Sequence, residues 1–203
     1  MMGDFLFSDE PDELESEVEL GTWKVLIVDD EPEVHAVTKL ALSDFEFQNK
    51  RLEFLSAYSG AEAKELINAH PDAAIVLLDV VMETDDAGLQ VAKFIREEAN
   101  NNHIRIILRT GQPGQAPERQ VIINYDINDY KSKTELTAQK LFTVIMSSLR
   151  SYRDIISIEQ SREGLEKIIV ASRDIFATRS IEQFIEGVMQ QLTSFLGIAD
   201  QAV

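Results

Sequence analysis

The sequence predicts an α/β protein with a doubly wound, five-stranded parallel sheet, followed by a C-terminal helical extension. Short apolar runs such as "VLIV" and "IVLL" alternate with segments in which apolar residues recur every three or four positions. That alternation is typical of parallel strands joined by right-handed helical crossovers. Near-continuous apolar runs indicate strands that helices cover on both faces. The 203 residues leave room for a second, smaller unit after this domain.

Five segments have the composition of strands. They are residues 23–28, 51–57, 73–79, 104–110 and 127–131. Four amphipathic segments are predicted as helices, namely residues 33–47, 59–70, 88–99 and 116–125. A further, long helical segment is predicted to begin near Thr134. Pro32 is suited to the first turn of the first helix, and Ser59 is suited to cap the second. The predicted apolar side of the first helix consists of Val34, Val37, Leu40, Ala41 and Phe45.

The charge distribution limits the classes of partner. The formal net charge is −17, but residues 1–20 hold eight acids and no base, which leaves −9 for the other 183 residues. This acidic surface lacks the excess of Lys and Arg with which a nucleic-acid-binding protein neutralises phosphates. The acidic tail is either solvated or docked on a basic partner, with Phe5, Leu6 and Phe7 able to pin one end.

No apolar run is long enough to span a membrane, and residues 1–20 do not resemble a secretory signal. The chain has no cysteine, which excludes disulfides and thiolate metal sites. The three histidines, His35, His70 and His103, have no metal-ligand spacing, and we expect His35 on a helix surface. A cytoplasmic protein without an organic cofactor is therefore expected.

Polar residues that can bind a ligand or take part in a reaction lie at the carboxyl ends of the strands. Asp29 and Asp30 follow the first strand, Asp79 ends the third, Thr110 ends the fourth, and Lys133 follows the fifth. In open parallel sheets this edge is where ligands bind. Taken singly, each residue is explained as a cap, a turn or a surface charge. Together, three carboxylates, one hydroxyl and one ammonium are predicted to converge at one edge.

The chemistry of such a cluster is specific. Three neighbouring carboxylates repel one another and require a compensating cation. An all-oxygen ligand set of this kind suits Mg²⁺, which also binds phosphate oxygens. A lysine and a hydroxyl beside a carboxylate stabilise charge on a transferring phosphoryl group. The cluster therefore predicts a site at which a phosphoryl group is transferred onto a carboxylate.

These motifs resemble the receiver domain of two-component response regulators, over about Trp23 to Tyr152. The resemblance implies a flavodoxin-like receiver fold, Mg²⁺ as the cofactor, and a sensor histidine kinase or phosphotransfer protein as the partner. It also implies roles for seven residues: Asp79 as phosphoacceptor and metal ligand, Asp30 as a direct metal ligand, Asp29 as a ligand mainly through water, Val81 as a ligand through its backbone carbonyl, Thr110 as the switch hydroxyl, Lys133 as the phosphate-binding lysine, and Tyr130 as the switch aromatic.

The chain departs from that family's pattern in two loops. Glu83 stands where the family usually has proline, and the following glycine comes one residue later. Thr134 replaces the proline that normally follows the family's lysine. Lys131 competes with Lys133 for the phosphate, because residues two apart in an extended chain face the same way. We prefer Lys133, since the family's aromatic precedes its lysine by three residues.

The domain boundaries are predicted as an acidic tail (residues 1–21), a receiver domain (residues 22–150) and a signalling helix with the helical start of a second domain (residues 151–203). A seam suited to pairing with a second helix runs along Phe142, Ile145, Leu149, Tyr152 and Ile156. Its first half packs on the sheet, whereas the part from Tyr152 onward lies beyond the sheet. A homodimer through this helix is therefore expected.

Two amphipathic helices, split near Thr178–Ser180, are predicted at the end of the chain. The apolar stripe of the second consists of Ile181, Phe184, Ile185, Val188, Met189, Leu192 and Phe195. This stretch is similar to the opening helices of GAF-type sensory domains. The arrangement also resembles bacterial regulators whose later part is a cyclic-dinucleotide phosphodiesterase. The motifs of that enzyme do not occur in these residues, so an output enzyme is expected outside this chain.

The sequence therefore predicts a response regulator rather than an enzyme: Asp79 accepts phosphate with Mg²⁺, and the long helix relays the change to an output domain. Two alternatives stay open. One is a phosphorylation-independent receiver-like scaffold or dimerisation module, which the departures after Asp79 and Lys133 keep possible. The other is a Mg²⁺-dependent aspartyl-phosphate phosphohydrolase. It is the weaker, because Val81 occupies the position where such enzymes carry a second acid.

Overall fold

A computed structural model describes residues 21–111, 118–133 and 137–195, and it leaves some side chains in the helices undescribed. Residues 1–20 of the predicted acidic tail, the start of the helix predicted over residues 116–125, Thr134 and the last eight residues lie outside the described residues.

The described residues form one mostly parallel sheet of six strands. In chain order the strands are β1 (Trp23–Val28), β2 (Glu46–Phe47), β3 (Lys50–Ala57), β4 (Ile75–Asp79), β5 (Arg105–Thr110) and β6 (Asp129–Ser132). Their order across the sheet is β2-β3-β1-β4-β5-β6, and every pairing except β2 with β3 is parallel. The five parallel strands thus have the predicted flavodoxin-like order.

The sixth strand corrects the prediction of one helix over residues 33–47. That helix ends at Ala41, and β2 then pairs antiparallel with the start of β3. Gln48 and Asn49, between the two strands, have φ values of 54° and 59°. Two consecutive positive φ angles make the tight turn that matches the twist of paired strands.

In the described parts of the chain, five α-helices accompany the sheet. They are α1 (Pro32–Ala41), α2 (Gly60–Ala69), α3 (Ala87–Lys93), α4 (Glu118–Asn124) and α5 (Ala138–Phe195). Two helix starts confirm the sequence prediction: Pro32 occupies the first turn of α1, and the Ser59 side chain accepts a hydrogen bond from the Glu62 amide. The segment that follows α3, Phe94–Glu98, forms a π-helical turn.

Apolar side chains form one core on each face of the sheet. On one face, α2 and α3 pack on the strands through residues such as Ile67 and Val91. On the other face, the end of α1 and the first third of α5 pack on the strands through residues such as Leu42, Ile145 and Leu149. The central strands are buried throughout, which explains their near-continuous apolar sequences.

Helix α1 presents a different side to the sheet from the one predicted. Val37 and Leu40 are 66% and 76% exposed, whereas His35 and Thr38 are buried. Both polar residues have hydrogen-bond partners near the carboxyl ends of the strands. A buried polar group is stable when it is hydrogen-bonded, and this condition is met on the inner side of α1.

Helix α5 is continuous from Ala138 to Phe195, which corrects the predicted split near Thr178–Ser180. No proline or glycine occurs at that point to break the helix. Its 58 residues correspond to about 87 Å at 1.5 Å per residue. Among the described residues, no helix is long and apolar enough to cross a membrane.

The point at which α5 leaves the sheet also differs from the prediction. Tyr152 is buried, and its hydroxyl donates a hydrogen bond to the carbonyl oxygen of Asp72 at 3.1 Å. Its ring meets that of Trp23 edge-on, with the centroids 6.3 Å apart. Trp23 in turn contacts Phe47, which belongs to the additional strand β2. The extra hairpin thus enlarges the surface on which α5 packs.

Candidate functional site

Strand register brings the predicted site residues to one edge of the sheet. Val28 pairs with Leu78, so Asp29, which follows β1, and Asp79, the last residue of β4, lie at nearly the same level. Asp79 pairs with Arg109, which precedes Thr110 at the end of β5. Because all these strands are parallel, their carboxyl ends carry the polar residues into one cluster.

Asp79 and Lys133 form the centre of the cluster. The Lys133 ammonium lies 2.8 Å from Oδ2 of Asp79, which is only 3% exposed. Oδ1 of Asp79 is buried and has no hydrogen-bond partner among the described residues. Burial raises the pKa of Asp79 and the nearby charge of Asp29 adds to this, although Lys133 opposes the shift. The site therefore holds a buried carboxylate with one paired oxygen and one unpaired oxygen.

Lys133 also reaches the acids that follow β1. Its ammonium lies 3.2 Å from Oδ2 of Asp29 and 2.9 Å from Oε1 of Glu31. Burial lowers the pKa of this lysine, but the hydrogen bonds to Asp79 and Glu31, together with the surrounding charges, raise it overall. Lys131 instead lies 3.1 Å from Oδ1 of Asp129. Of the two candidate lysines, Lys133 is thus the one that contacts Asp79.

Asp29 is completely buried and has hydrogen-bond partners in β3, in β5 and in the segment between β1 and α1. Its amide donates to the Ala57 carbonyl at 3.2 Å, and its Oδ1 accepts from the Glu31 amide at 3.1 Å. Its Oδ2 accepts from Nη2 of Arg109 at 3.4 Å. These bonds fix the orientation of the carboxylate. Asp30, by contrast, is exposed to solvent.

Arg109 is a site residue that the sequence reading did not identify. It is 4% exposed, and its guanidinium contacts Asp29 and, at 3.2 Å, the hydroxyl oxygen of Thr38 on α1. Burial lowers its pKa, and the charges of Asp29 and Asp79 oppose that shift. The sequence does hold a sign of this role, because Arg109 is a basic residue just before the end of an otherwise apolar strand.

His35 is the second correction at the site, since it is 2% exposed rather than on a helix surface. Its Nε2 lies 2.7 Å from the backbone oxygen of Asp29, and its Nδ1 lies 3.1 Å from Oγ of Ser56. A carbonyl oxygen only accepts, so Nε2 carries a proton and donates it to the Asp29 carbonyl. The ring also lies against Tyr58, with centroids 4.4 Å apart. His35 thus ties α1 to the residue that opens the acidic cluster.

The loop after Asp79 is anchored despite its unusual sequence. Oε1 of Glu83, which replaces the family's proline, accepts a hydrogen bond from the Gly60 amide at 2.8 Å. The Gly88 amide donates to the Val80 carbonyl at 3.0 Å and holds α3 against the end of β4. A carboxylate at the N-terminus of α2 also interacts favourably with the helix dipole. Glu83 therefore fastens the loop to α2.

The remaining predicted residues lie close to this cluster or on the adjacent strand. Thr110 is buried at the end of β5. Val81 is half-buried in the loop two residues past Asp79. Tyr130, on the edge strand β6, is half-buried and packs against the core that contains α2 and α3.

The residues present fit a divalent cation. Asp29, Asp30 and Glu31 each offer a carboxylate oxygen, and these atoms lie within 4.8 Å of one another. With Asp79 they make four acids, which Lys133 and Arg109 balance only in part. The formal charge of the cluster is thus −2, which one divalent cation would neutralise. Hard oxygen ligands of this kind suit Mg²⁺.

Two regions of the chain match known protein families. Residues 25–146 match the response regulator receiver domain. Residues 145–203 match a domain of unknown function, DUF3369. The predicted receiver is thereby confirmed, and the second match begins within α5.

A curated relative from Vibrio cholerae serotype O1 is 50% identical over 174 residues, which are 86% of this chain. It is a 3'3'-cGAMP-specific phosphodiesterase 2, and the chain spans 33% of its length. A receiver domain from Clostridium thermocellum is 21% identical with a TM-score of 0.56, covering 66% of this chain and 98% of that one. A receiver domain protein from Methanospirillum hungatei is 25% identical with a TM-score of 0.53, covering 64% and 97%. The Clostridium structure shows likeness of fold alone.

Proposed function

The chain belongs to the response regulator receiver domain family, and from this premise we propose that Asp79 accepts a phosphoryl group from a histidine kinase or phosphotransfer protein. The resulting change is relayed through α5 to an output domain. The observation that carries the proposal is the buried Asp79 carboxylate, with Lys133 on one oxygen and no described hydrogen-bond partner on the other.

The proposed reaction moves the phosphoryl group between two nucleophiles. A carboxylate oxygen of Asp79 attacks phosphorus and forms a new P–O bond. The P–N bond of the donor phosphohistidine breaks, and its electron pair returns to the imidazole, which then takes up a proton. The product is an acyl phosphate on Asp79, so no oxidant or further reactant is required.

Lys133 and Thr110 receive the new charge. The phosphoryl group adds about −1.5 to −2 charges. The Lys133 ammonium, already within 2.8 Å of Asp79, is placed to bind one of its oxygens. The Thr110 hydroxyl, at the end of the next strand, donates to another. Tyr130 on β6 then follows Thr110 as the switch aromatic, and this two-state movement changes the surface that includes α4.

Asp29, Asp30 and Asp79 would hold the metal, together with the backbone carbonyl of Val81. A bound Mg²⁺ supplies positive charge that offsets the charge developing on the transferring group. The chain's own residues orient the acceptor: Arg109 and the Glu31 amide fix Asp29, and Lys133 fixes Asp79.

We further propose that α5 carries the signal and pairs with α5 of a second copy. Beyond the sheet this helix exposes many large apolar side chains, among them Leu165, Ile168 and Phe184. Such side chains are suited to helix–helix packing. By likeness to the Vibrio relative, the output is a cyclic-dinucleotide phosphodiesterase outside residues 1–203. Because the proposed phosphodonors act in the cytoplasm, we place the protein there as well.

The deciding experiment is phosphorylation of the 203-residue chain with acetyl phosphate and Mg²⁺, followed by intact-mass measurement. We expect a single phosphate adduct on the wild type and none on Asp79→Asn. Asp72→Asn is the matched control. Asp72 precedes β4 and pairs with Lys24 at the opposite edge of the sheet from Asp79. The variant should accept phosphate like the wild type.

Other outcomes distinguish the alternative functions. An adduct that persists in Asp79→Asn would contradict the assignment of the acceptor. No adduct on the wild type, with acetyl phosphate or with a phosphorylated kinase, would favour the phosphorylation-independent scaffold. Rapid release of inorganic phosphate over many turnovers from several phosphate esters would favour the phosphohydrolase.

A further inference from the structure

Arg109 is a buried cation within the acidic cluster, and it has contacts with two elements. Nη2 donates to Oδ2 of Asp29 at 3.4 Å, and Nη1 donates to Oγ1 of Thr38 at 3.2 Å. Nε is buried with no hydrogen-bond partner among the described residues. The guanidinium therefore joins the end of β1 to the inner side of α1.

Its charge differs from that of Lys133 in being immobile. The Lys133 ammonium is partly exposed and is shared among Asp29, Glu31 and Asp79. Arg109 is 4% exposed, and the acid it contacts is completely buried. A guanidinium stays protonated at any ordinary pH, so this positive charge is permanent. Without the charge of Arg109, the buried Asp29 would keep only the shared Lys133 ammonium as a cationic partner among the described residues.

We propose that Arg109 is a positioning residue that serves Asp29 as a built-in counter-cation. It holds the Asp29 carboxylate against α1 without metal and weakens the affinity of the acidic cluster for a divalent cation. The inference rests on the proposed metal site and adds a determinant of its affinity. Lys133 moves toward any bound phosphate, but Arg109 stays and repels the cation at every stage.

The test is Mg²⁺ binding to the 203-residue chain, measured by calorimetry without any phosphodonor. Arg109→Gln removes the charge but retains hydrogen-bonding atoms, and Arg109→Lys retains the charge. A unit charge about 6 Å from a dication changes affinity about tenfold even in a water-like medium, so we expect Arg109→Gln to bind Mg²⁺ about tenfold more tightly. Arg109→Lys should stay within about threefold of the wild type, because it keeps the charge.

The matched control is Arg105→Gln. Arg105 is also buried and lies four residues earlier on β5, about 13 Å away along the strand. Its side chain donates to the carbonyl oxygens of His103 and Asn102, not to the acidic cluster. This variant should bind Mg²⁺ like the wild type. A purely structural role for buried arginine would affect both positions without strengthening metal binding at either.

A thermal-melting series with and without Mg²⁺ gives the second readout. Mg²⁺ should raise the Tm of Arg109→Gln by more than that of the wild type, because the ion replaces the missing charge. A variant that folds only with Mg²⁺ would support the proposal, and one that stays unfolded at saturating Mg²⁺ would overturn it. Equal or weaker Mg²⁺ binding by a folded Arg109→Gln would also overturn it.

The experiment distinguishes a failure of this inference from a failure of the proposed function. A wild type that binds Mg²⁺ and accepts phosphate, with an Arg109→Gln variant of the same affinity, would remove only the role of Arg109. If neither protein binds Mg²⁺, both the metal site and the counter-cation are wrong. Tight binding by Arg109→Gln alone would be the strongest support.

Discussion

Gly88 lies in the first turns of α3, directly against the carboxyl end of β4. A Cβ atom built at this position would lie 1.9 Å from the Asp79 backbone oxygen, 2.8 Å from its carbonyl carbon and 2.9 Å from Cα of Val80. All three obstructing atoms belong to the backbone, so no side-chain rotation can relieve the contact. The Gly88→Ala substitution must therefore displace either α3 or the end of the strand that carries the proposed phosphoacceptor.

The size of the effect follows from this geometry. The shortest contact is 1.5 Å below the 3.4 Å at which ordinary van der Waals contacts begin. Overpacking of a well-packed interior costs about 1–3 kcal/mol, and a backbone obstruction favours the upper end. Replacing glycine by alanine within a helix stabilises the helix by about 1 kcal/mol. We expect a net loss of about 2 kcal/mol, which corresponds to a decrease of roughly 1 M in the urea midpoint.

The assay combines urea unfolding with phosphorylation by acetyl phosphate. Gly164→Ala is the control, because a Cβ at that position on α5 has no atom within 4 Å and should not lower the midpoint. Gly88→Ala should also accept phosphate more slowly, since it displaces the backbone of Asp79. A Gly88→Ala protein with the wild-type midpoint and phosphorylation rate would refute the close approach of α3 to β4.

Two further predictions concern stability. Burial raises the pKa of Asp79 in the folded chain, so this group favours folding below its ordinary pKa and loses that contribution as the pH rises through the raised value. Without metal at pH 7, Asp79→Asn should therefore have a higher urea midpoint than the wild type. The difference between the two midpoints should shrink toward pH 3, and a difference that does not change with pH would contradict this reasoning. Tyr152→Phe should lose about 1 kcal/mol with the hydrogen bond to Asp72, measured by the fluorescence of the single Trp23. An unchanged midpoint would show that this bond does not stabilise the fold.

The sequence was sufficient to predict the parallel sheet and the residues at its edge, for identifiable physical reasons. The central strands are short and apolar on both faces, which distinguishes them from amphipathic helices and half-exposed strands. The cap at Ser59 follows from local hydrogen bonding that needs no tertiary contact. Lys133 and Asp79 are far apart in the chain, but parallel strands bring their carboxyl ends together whatever the intervening loops contain.

The β2–β3 hairpin could not be predicted, because its turn lacks the usual glycine. Gln48 and Asn49 adopt positive φ angles, and asparagine tolerates this better than most residues, whereas glutamine gives no such signal. The pattern of Phe45 and the preceding apolar residues therefore suggested a longer helix. Tertiary contact decides the outcome, since Phe47 packs against Trp23.

The orientation of α1 follows from the chemistry of the acidic cluster rather than from amphipathicity. The Asp29 carbonyl is 2.7 Å from Nε2 of His35, and the buried guanidinium of Arg109 donates to Thr38. Both partners lie on α1 and must face the strands for these bonds to form. Leaving the buried groups unpaired would cost about 1–3 kcal/mol each, comparable to the gain from burying one large apolar side chain. Pairing these two buried groups thus offsets the lost burial of Val37, which lies on the exposed side of α1.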